Sequence, residues 1–178
     1  MSLLALLQTG CLIAFALLLL MAAWQDWRTM RIADGLSLGI VGAFAVWALG
    51  GLAGGTLSLF NLGLAVACAL AMFGAGAVAF ASGALGGGDV KLAAASTLFA
   101  GPALTLDFVM VTALVGGVLG LLLLAGAPIG PLAERATPTS TPTPTGSSTL
   151  RARLHSGLPY GPAIAVGGWC VAATLALT

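Results

Sequence analysis

The sequence predicts an all-α protein embedded in a membrane, with about six transmembrane helices and both termini outside. Three observations predict it. Of 178 residues, 60% are hydrophobic and only 6% charged, and the mean hydropathy is +1.12, a composition that cannot cover a water-soluble surface. The apolar residues fall in runs close to the length of a bilayer span, about 20 residues each. The six basic residues stand in three groups, Arg28 with Arg31, then Lys91, then Arg135 with Arg151 and Arg153, and an even number of apolar runs separates each group from the next. The preference of Lys and Arg for cytoplasmic loops puts all three groups on one face. A chain of this length leaves no room for a sizeable soluble domain beside the spans, so residues 1–178 read as one membrane-embedded domain.

The elements follow in order. Leu3 to Trp24 is the first span; no basic residue precedes it and the first positive charges follow it, the order of a retained N-outside anchor rather than a cleaved secretory signal. Residues 35–54 and 57–82 supply two crossings between Arg31 and Lys91, and residues 92–105 and 107–127 supply two more before Arg135. The fourth run is the weakest, because its roughly 14 residues cover about 21 Å of a hydrocarbon core about 30 Å thick. It is expected to begin inside the membrane or to stop short at Gly101-Pro102. From 136 to 148 the chain is Thr/Pro-rich, too poor in apolar groups to pack, and reads as an extended cytoplasmic linker. Leu158 to Leu177 is the last span. Cys11, Cys68 and Cys170 stand singly in apolar runs and read as buried, inert thiols, and His155 as a lone interfacial imidazole.

Against this background the charged residues carry the information. Gly86-Gly87-Gly88-Asp89-Val90-Lys91 sets a carboxylate behind three glycines between two spans, and Asp26 closes the first apolar run. An ionisable side chain at such a place is costly and is by default a functional-site hypothesis. Parity puts both acids at the same membrane face. Two carboxylates that share one proton can activate a water and polarise a peptide carbonyl together, so a metal ion and a covalent nucleophile are both dispensable. One His and three isolated Cys offer no zinc site, and no cofactor is expected. Gly86 and Gly88 lack a Cβ and are expected to loosen the helix start and let a backbone approach Asp89. Lys91 is placed to hold Asp89 ionised or to snorkel to the interface. The plainer readings are that Asp89 caps the fourth helix and that Asp26 pairs with Arg28 or Arg31.

A third element, Pro159-Tyr160-Gly161-Pro162, opens the last span: Pro162 suits a first helical turn, and Tyr160 reads as an interfacial anchor. With Asp26-x-Arg28-x-x-x-Ile32, Gly86-x-Gly88-Asp89-Val90-Lys91-Leu92 and this block in order, the chain resembles the type IV prepilin peptidase family, membrane-embedded GxGD aspartic proteases. The resemblance implies a peptidase of the inner (plasma) membrane, with its active site on the cytoplasmic side, that removes the short basic leader of type IV pilin-like precursors. Asp26 and Asp89 match its catalytic pair. Gly86, Gly88, Lys91, Pro159, Tyr160, Gly161 and Pro162 match residues that shape the site or position the substrate. The implied partners are that precursor and the bilayer, with no nucleic acid. Longer members carry a cytoplasmic domain with paired C-x-x-C motifs that accompanies N-methylation. Nothing between Asp26 and Asp34 could house one, so the chain resembles a peptidase-only form. It departs from the family at Ala33-Asp34, where a Pro-Asn-like pair is usual; Asp34 is expected to serve as the N-cap of the second helix.

Two readings come from other classes. A small ion or solute transporter would use intramembrane carboxylates near the midplane and show similarity between its halves, neither of which the sequence displays. An assembly scaffold would explain close glycine contacts such as Gly50 to Gly55 and Gly116 to Gly120, but leaves the aspartates without a role.

Overall fold

The computed structural model describes residues 3–125 and 160–177. It is all-helical: α1 (Leu3–Thr29), α2 (Asp34–Ala53), α3 (Leu59–Ala81), α4 (Gly87–Leu124) and α5 (Gly161–Leu177). The first four are long and apolar enough to cross a membrane, and α5 is a shorter apolar helix. The protein is therefore a helical membrane protein. Its outward surface carries large apolar side chains such as Leu38, Phe60 and Leu106, each about three-quarters exposed, as lipid contact requires. Cys11 is buried, but Cys68 is half-buried and Cys170 exposed, so the expectation of three buried thiols holds only for the first. An apolar residue in a membrane helix is as comfortable facing lipid as facing the core.

Boundaries moved where local chemistry overrides hydropathy. Helix α1 runs past Trp24 to Thr29 because nothing between them breaks a helix, which carries Asp26 inside the last turns. Ser58 caps α3 by accepting from the Asn61 N–H at 3.1 Å, the usual satisfaction of an orphan donor. The linker 136–148, Pro159, Arg135, Arg151, Arg153 and His155 lie outside the described residues.

The predicted spans 92–105 and 107–127 are joined in α4, which is continuous in name only. Gly101 has φ 55° and ψ −169°, a conformation essentially reserved for glycine, and Pro102 follows it. Were α4 straight, Asp89 and Thr112 would lie about 34 Å apart at about 1.5 Å per residue. Instead both line one cavity of about 200 Å³. Farther along, Gly116 packs on Tyr160, next to the Gly161 whose N–H reaches Asp26. The helix thus turns back at Gly101, and its second limb returns to the level from which the first set out. The first limb is about 21 Å long, short of the roughly 30 Å hydrocarbon core.

That first limb is the centre of the bundle. Leu92, Ser96 and Thr97 are wholly buried, and the two hydroxyls are satisfied by the carbonyls of Leu92 and Ala93 one turn back. Phe99 stacks on Phe15 of α1 at 4.3 Å and meets Phe44 of α2 edge-on at 5.4 Å, contacts each worth about 0.5–1.5 kcal/mol beyond area. Elsewhere small residues set the approach: a Cβ on Gly76 of α3 would stand 2.7 Å from Val90, and one on Gly168 of α5 would strike Leu19 of α1. Without a hydrophobic driving force between helices in lipid, such close van der Waals packing is what holds them.

Because a Cβ at Gly101 would meet nothing within 4 Å, Gly101→Ala tests the backbone alone. We expect it to destabilise the protein by about 1–3 kcal/mol, seen as a lower melting temperature in detergent; an unchanged midpoint would mean that the turn carries no strain.

Candidate active site

Asp26 is placed by a buried stripe on α1, Phe15, Leu19, Ala22 and Asp26, at the helical spacing that puts them on one face. It is 4% exposed. Its Oδ2 accepts a 2.8 Å hydrogen bond from the backbone N–H of Gly161, across 135 residues of sequence. Gly161 has no Cβ for a reason that can be measured: one built there would lie 2.7 Å from the Asp26 Cβ and 2.8 Å from its Oδ2. Pro162 sits beside it in the first turn of α5, as expected.

Asp89 stands in the first turn of α4 and is 8% exposed. The Gly86 carbonyl accepts the first helical bond, from Val90 N–H at 3.2 Å, while Asp89 Oδ2 accepts from Gly86 N–H at 3.3 Å. The arrangement is the returning half of a capping box, in which the third helical residue folds back on the cap, and the positive end of the helix dipole adds to it. Asp89 is therefore not the N-cap expected as the plain alternative; it is a first-turn residue that satisfies the N–H of the cap, Gly86, with one oxygen. The other, Oδ1, is buried with no hydrogen-bond partner among the described residues. The carboxylates of Asp26 and Asp89 are close enough to interact electrostatically, and among the described residues no salt bridge engages either acid.

Gly88 does admit a close backbone, but it is the protein's own. A Cβ there would lie 3.0 Å from the Ile32 Cβ and 3.3 Å from the Ile32 carbonyl oxygen. The chain reaches that position because Met30, at φ 50°, ends α1 in the left-handed region and turns the 31–33 segment across the start of α4.

Four expectations are corrected by these contacts. Asp34 is not the N-cap of α2; Ala33 is, without a side-chain cap bond. Asp34 is the first helical residue and its carboxylate pairs with Lys91 at 2.8 Å, so Lys91 holds neither Asp89 nor a purely interfacial position. It ties α2 to α4, through a pair exposed enough to be worth little, about 0–1 kcal/mol. Arg28 lies over the Trp24 ring at 4.5 Å, leaving Asp26 to Gly161. Tyr160 is half-buried against the core and lines the cavity beside Asp89 rather than anchoring an interface. Among the described residues no three His, Cys, Asp or Glu lie together as a metal site.

A model of the Type IV leader peptidase family matches residues 13–121, more than half of the chain. The chain belongs to that family. It is a peptidase by membership, and the match spans Asp26, Gly86, Gly88, Asp89 and Lys91. Comparison with curated proteins and with solved structures returns no match. The block from Pro159 to Pro162 lies beyond the matched residues, and what ties this leader peptidase's Gly161 to Asp26 is the hydrogen bond itself.

We expect Gly161→Ala to push Asp26 aside and break its backbone bond, lowering peptidase activity about 100-fold or more, on the scale set by a reacting group misplaced by about 1 Å. Cleavage rates per folded molecule measure it; near-normal rates would mean that Asp26 needs no such anchor.

Proposed function

We propose that Asp26 and Asp89 are the catalytic pair of an aspartic endopeptidase that removes the short basic leader of type IV pilin-like precursors. What carries the reading is one observation: two buried carboxylates from distant helices interact, each held through one oxygen by a glycine N–H, while Asp89 keeps a buried oxygen unpartnered. Family membership supports leader cleavage as the reaction. Location argues against a transporter, since the acids stand in the last turns of α1 and the first turn of α4 rather than at mid-helix.

The chemistry follows from sharing one proton. Two neighbouring buried carboxylates, neither in a salt bridge among the described residues, hold one charge and one proton between them more easily than two charges. The ionised member takes a proton from water as its oxygen attacks the scissile carbonyl carbon, and the protonated member donates to the carbonyl oxygen. The tetrahedral diol then collapses: one acid gives its proton to the leaving amine as the C–N bond breaks, and the other takes the proton of a diol hydroxyl as the carbonyl re-forms, which returns the pair to one shared proton. The glycine N–H groups keep both acids in place through these steps. No proton is assigned to one acid in particular.

The topology belongs to the same proposal. The two limbs of α4 leave and return on one side whether or not Gly101 clears the far boundary, so the parity that groups Arg28, Arg31 and Lys91 on the cytoplasmic face is indifferent to its depth. Six membrane segments, both termini outside and a cytoplasmic site follow, together with the role of the 136–148 linker as a cytoplasmic connection.

Asp26→Asn and Asp89→Asn are each expected to abolish leader removal while the protein still accumulates, because Asn keeps the shape but exchanges no proton. Asp34→Asn is expected to stay active. Co-expression with a pilin-like precursor, scored for leader loss on a gel, measures all three, and cleavage by either of the first two at near-normal rates would sink the assignment. Single cysteines placed beside Arg28 and Lys91 are expected to react with an impermeant reagent only from the cytoplasmic side; labelling from outside would overturn the topology.

A further inference from the structure

The cavity beside Asp89 has features that catalysis by the two acids does not use. It lies between α3, both limbs of α4 and α5, and its walls are mostly apolar, with Met72, Val90, Phe108 and Ile164 among them. It runs away from Asp89 into the bundle, since Ala93, one turn and about 6 Å further along the first limb, also lines it. Its outer wall is the second limb, where Val109 is 38% exposed and Ala113 is exposed, so the space opens sideways toward lipid between α3 and that limb. At the end where α4 begins sits the Asp89 carboxylate, more than nine-tenths buried and with Oδ1 unpartnered among the described residues. The hydroxyl of Thr112, another lining residue, is also buried without a partner among the described residues.

An apolar slot of about 200 Å³ with an unpartnered carboxylate oxygen at its foot suits an occupant that is apolar at one end and polar at the other. A peptide residue with an apolar side chain is such an occupant: the side chain fills the slot and the peptide group meets Asp89. Because the slot extends from Asp89 into the membrane, it meets the part of the substrate that lies on the membrane side. We propose that this slot is the subsite for the substrate residue immediately on the membrane side of the scissile bond, and that the residue enters laterally between α3 and the second limb of α4. The proposal rests on Asp26 and Asp89 being the catalytic pair. It makes Val109 and Ala113 the residues that set the width of the mouth. A charged side chain is refused, since burial in these walls without a partner is costly.

The test uses the full chain in nanodiscs with synthetic reporters, each a basic leader joined to an apolar helix, differing only in the residue after the scissile bond, Ala or Phe. Ala113→Phe, which fills the mouth, is expected to lower kcat/KM for the Phe reporter roughly ten-fold or more relative to the Ala reporter, mainly through KM. Val109→Ala, a smaller change that keeps the test open if the first variant folds poorly, is expected to shift the preference toward Phe. Leu106→Phe, on the outward side of the same limb, is expected to leave the ratio unchanged. Equal effects of Ala113→Phe and Val109→Ala on both reporters, with Asp89→Asn inactive, would overturn the subsite and leave the catalytic pair standing. Cleavage by Asp89→Asn at the wild-type rate would overturn both.

Discussion

Two carboxylates buried at the end of an apolar bundle must be given donors, and the rest of the site is arranged around that requirement. Leaving such a group unsolvated costs more than helix packing easily returns. Among the described residues no side-chain cation pairs with either acid; Lys91 is taken by Asp34 and Arg28 lies over Trp24. Backbone N–H groups meet it instead, and they approach closely only where no Cβ intervenes, which is why glycines stand at 86 and 161. A donor from the backbone fixes a carboxylate without neutralising it, so the pair keeps the charge that the proposed chemistry needs.

The bond from Gly161 to Asp26 also closes the bundle. It joins the last helix to the first, while the turn at Gly101 lets α4 supply both the central helix and an outer wall. The first limb lies against α1, α2 and α3 with its hydroxyls bonded to its own carbonyls, so its starting residue, and with it Asp89, is set by packing along its length. The second limb packs closely on α5 with one side, where Phe108 and Thr112 meet Gly167, and leaves Val109 and Met110 open to the surroundings on the other. A buried inner limb carrying the acid and a half-exposed outer limb forming the wall suit the proposed cleavage of a membrane-held peptide.

Much was legible in the sequence, and the misses share a cause. The helices, the weak fourth run and the stop at Gly101-Pro102 could be read because hydropathy, glycine and proline act locally. The pairing of Lys91 could not, because a lysine two residues from one aspartate and 57 from another gives no local sign of which it meets. Asp34 before Gly35 reads as a cap, and only the path of the 31–33 segment across Gly88 makes it a helical residue with its carboxylate directed to α4. Tyr160 reads as an anchor because tyrosine is common at interfaces, yet Gly116 leaves it a place inside.

The sequence by itself determined a helical membrane protein, the order of its apolar segments, and a pair of acids at segment ends, since these rest on composition, run length and the cost of charge in lipid. Tertiary structure alone decided which donor holds each acid, which oxygen stays unpartnered, and where a cavity opens beside it. Those depend on distances between helices far apart in sequence, fixed by how closely small residues let them approach, and no local pattern encodes a distance of that kind.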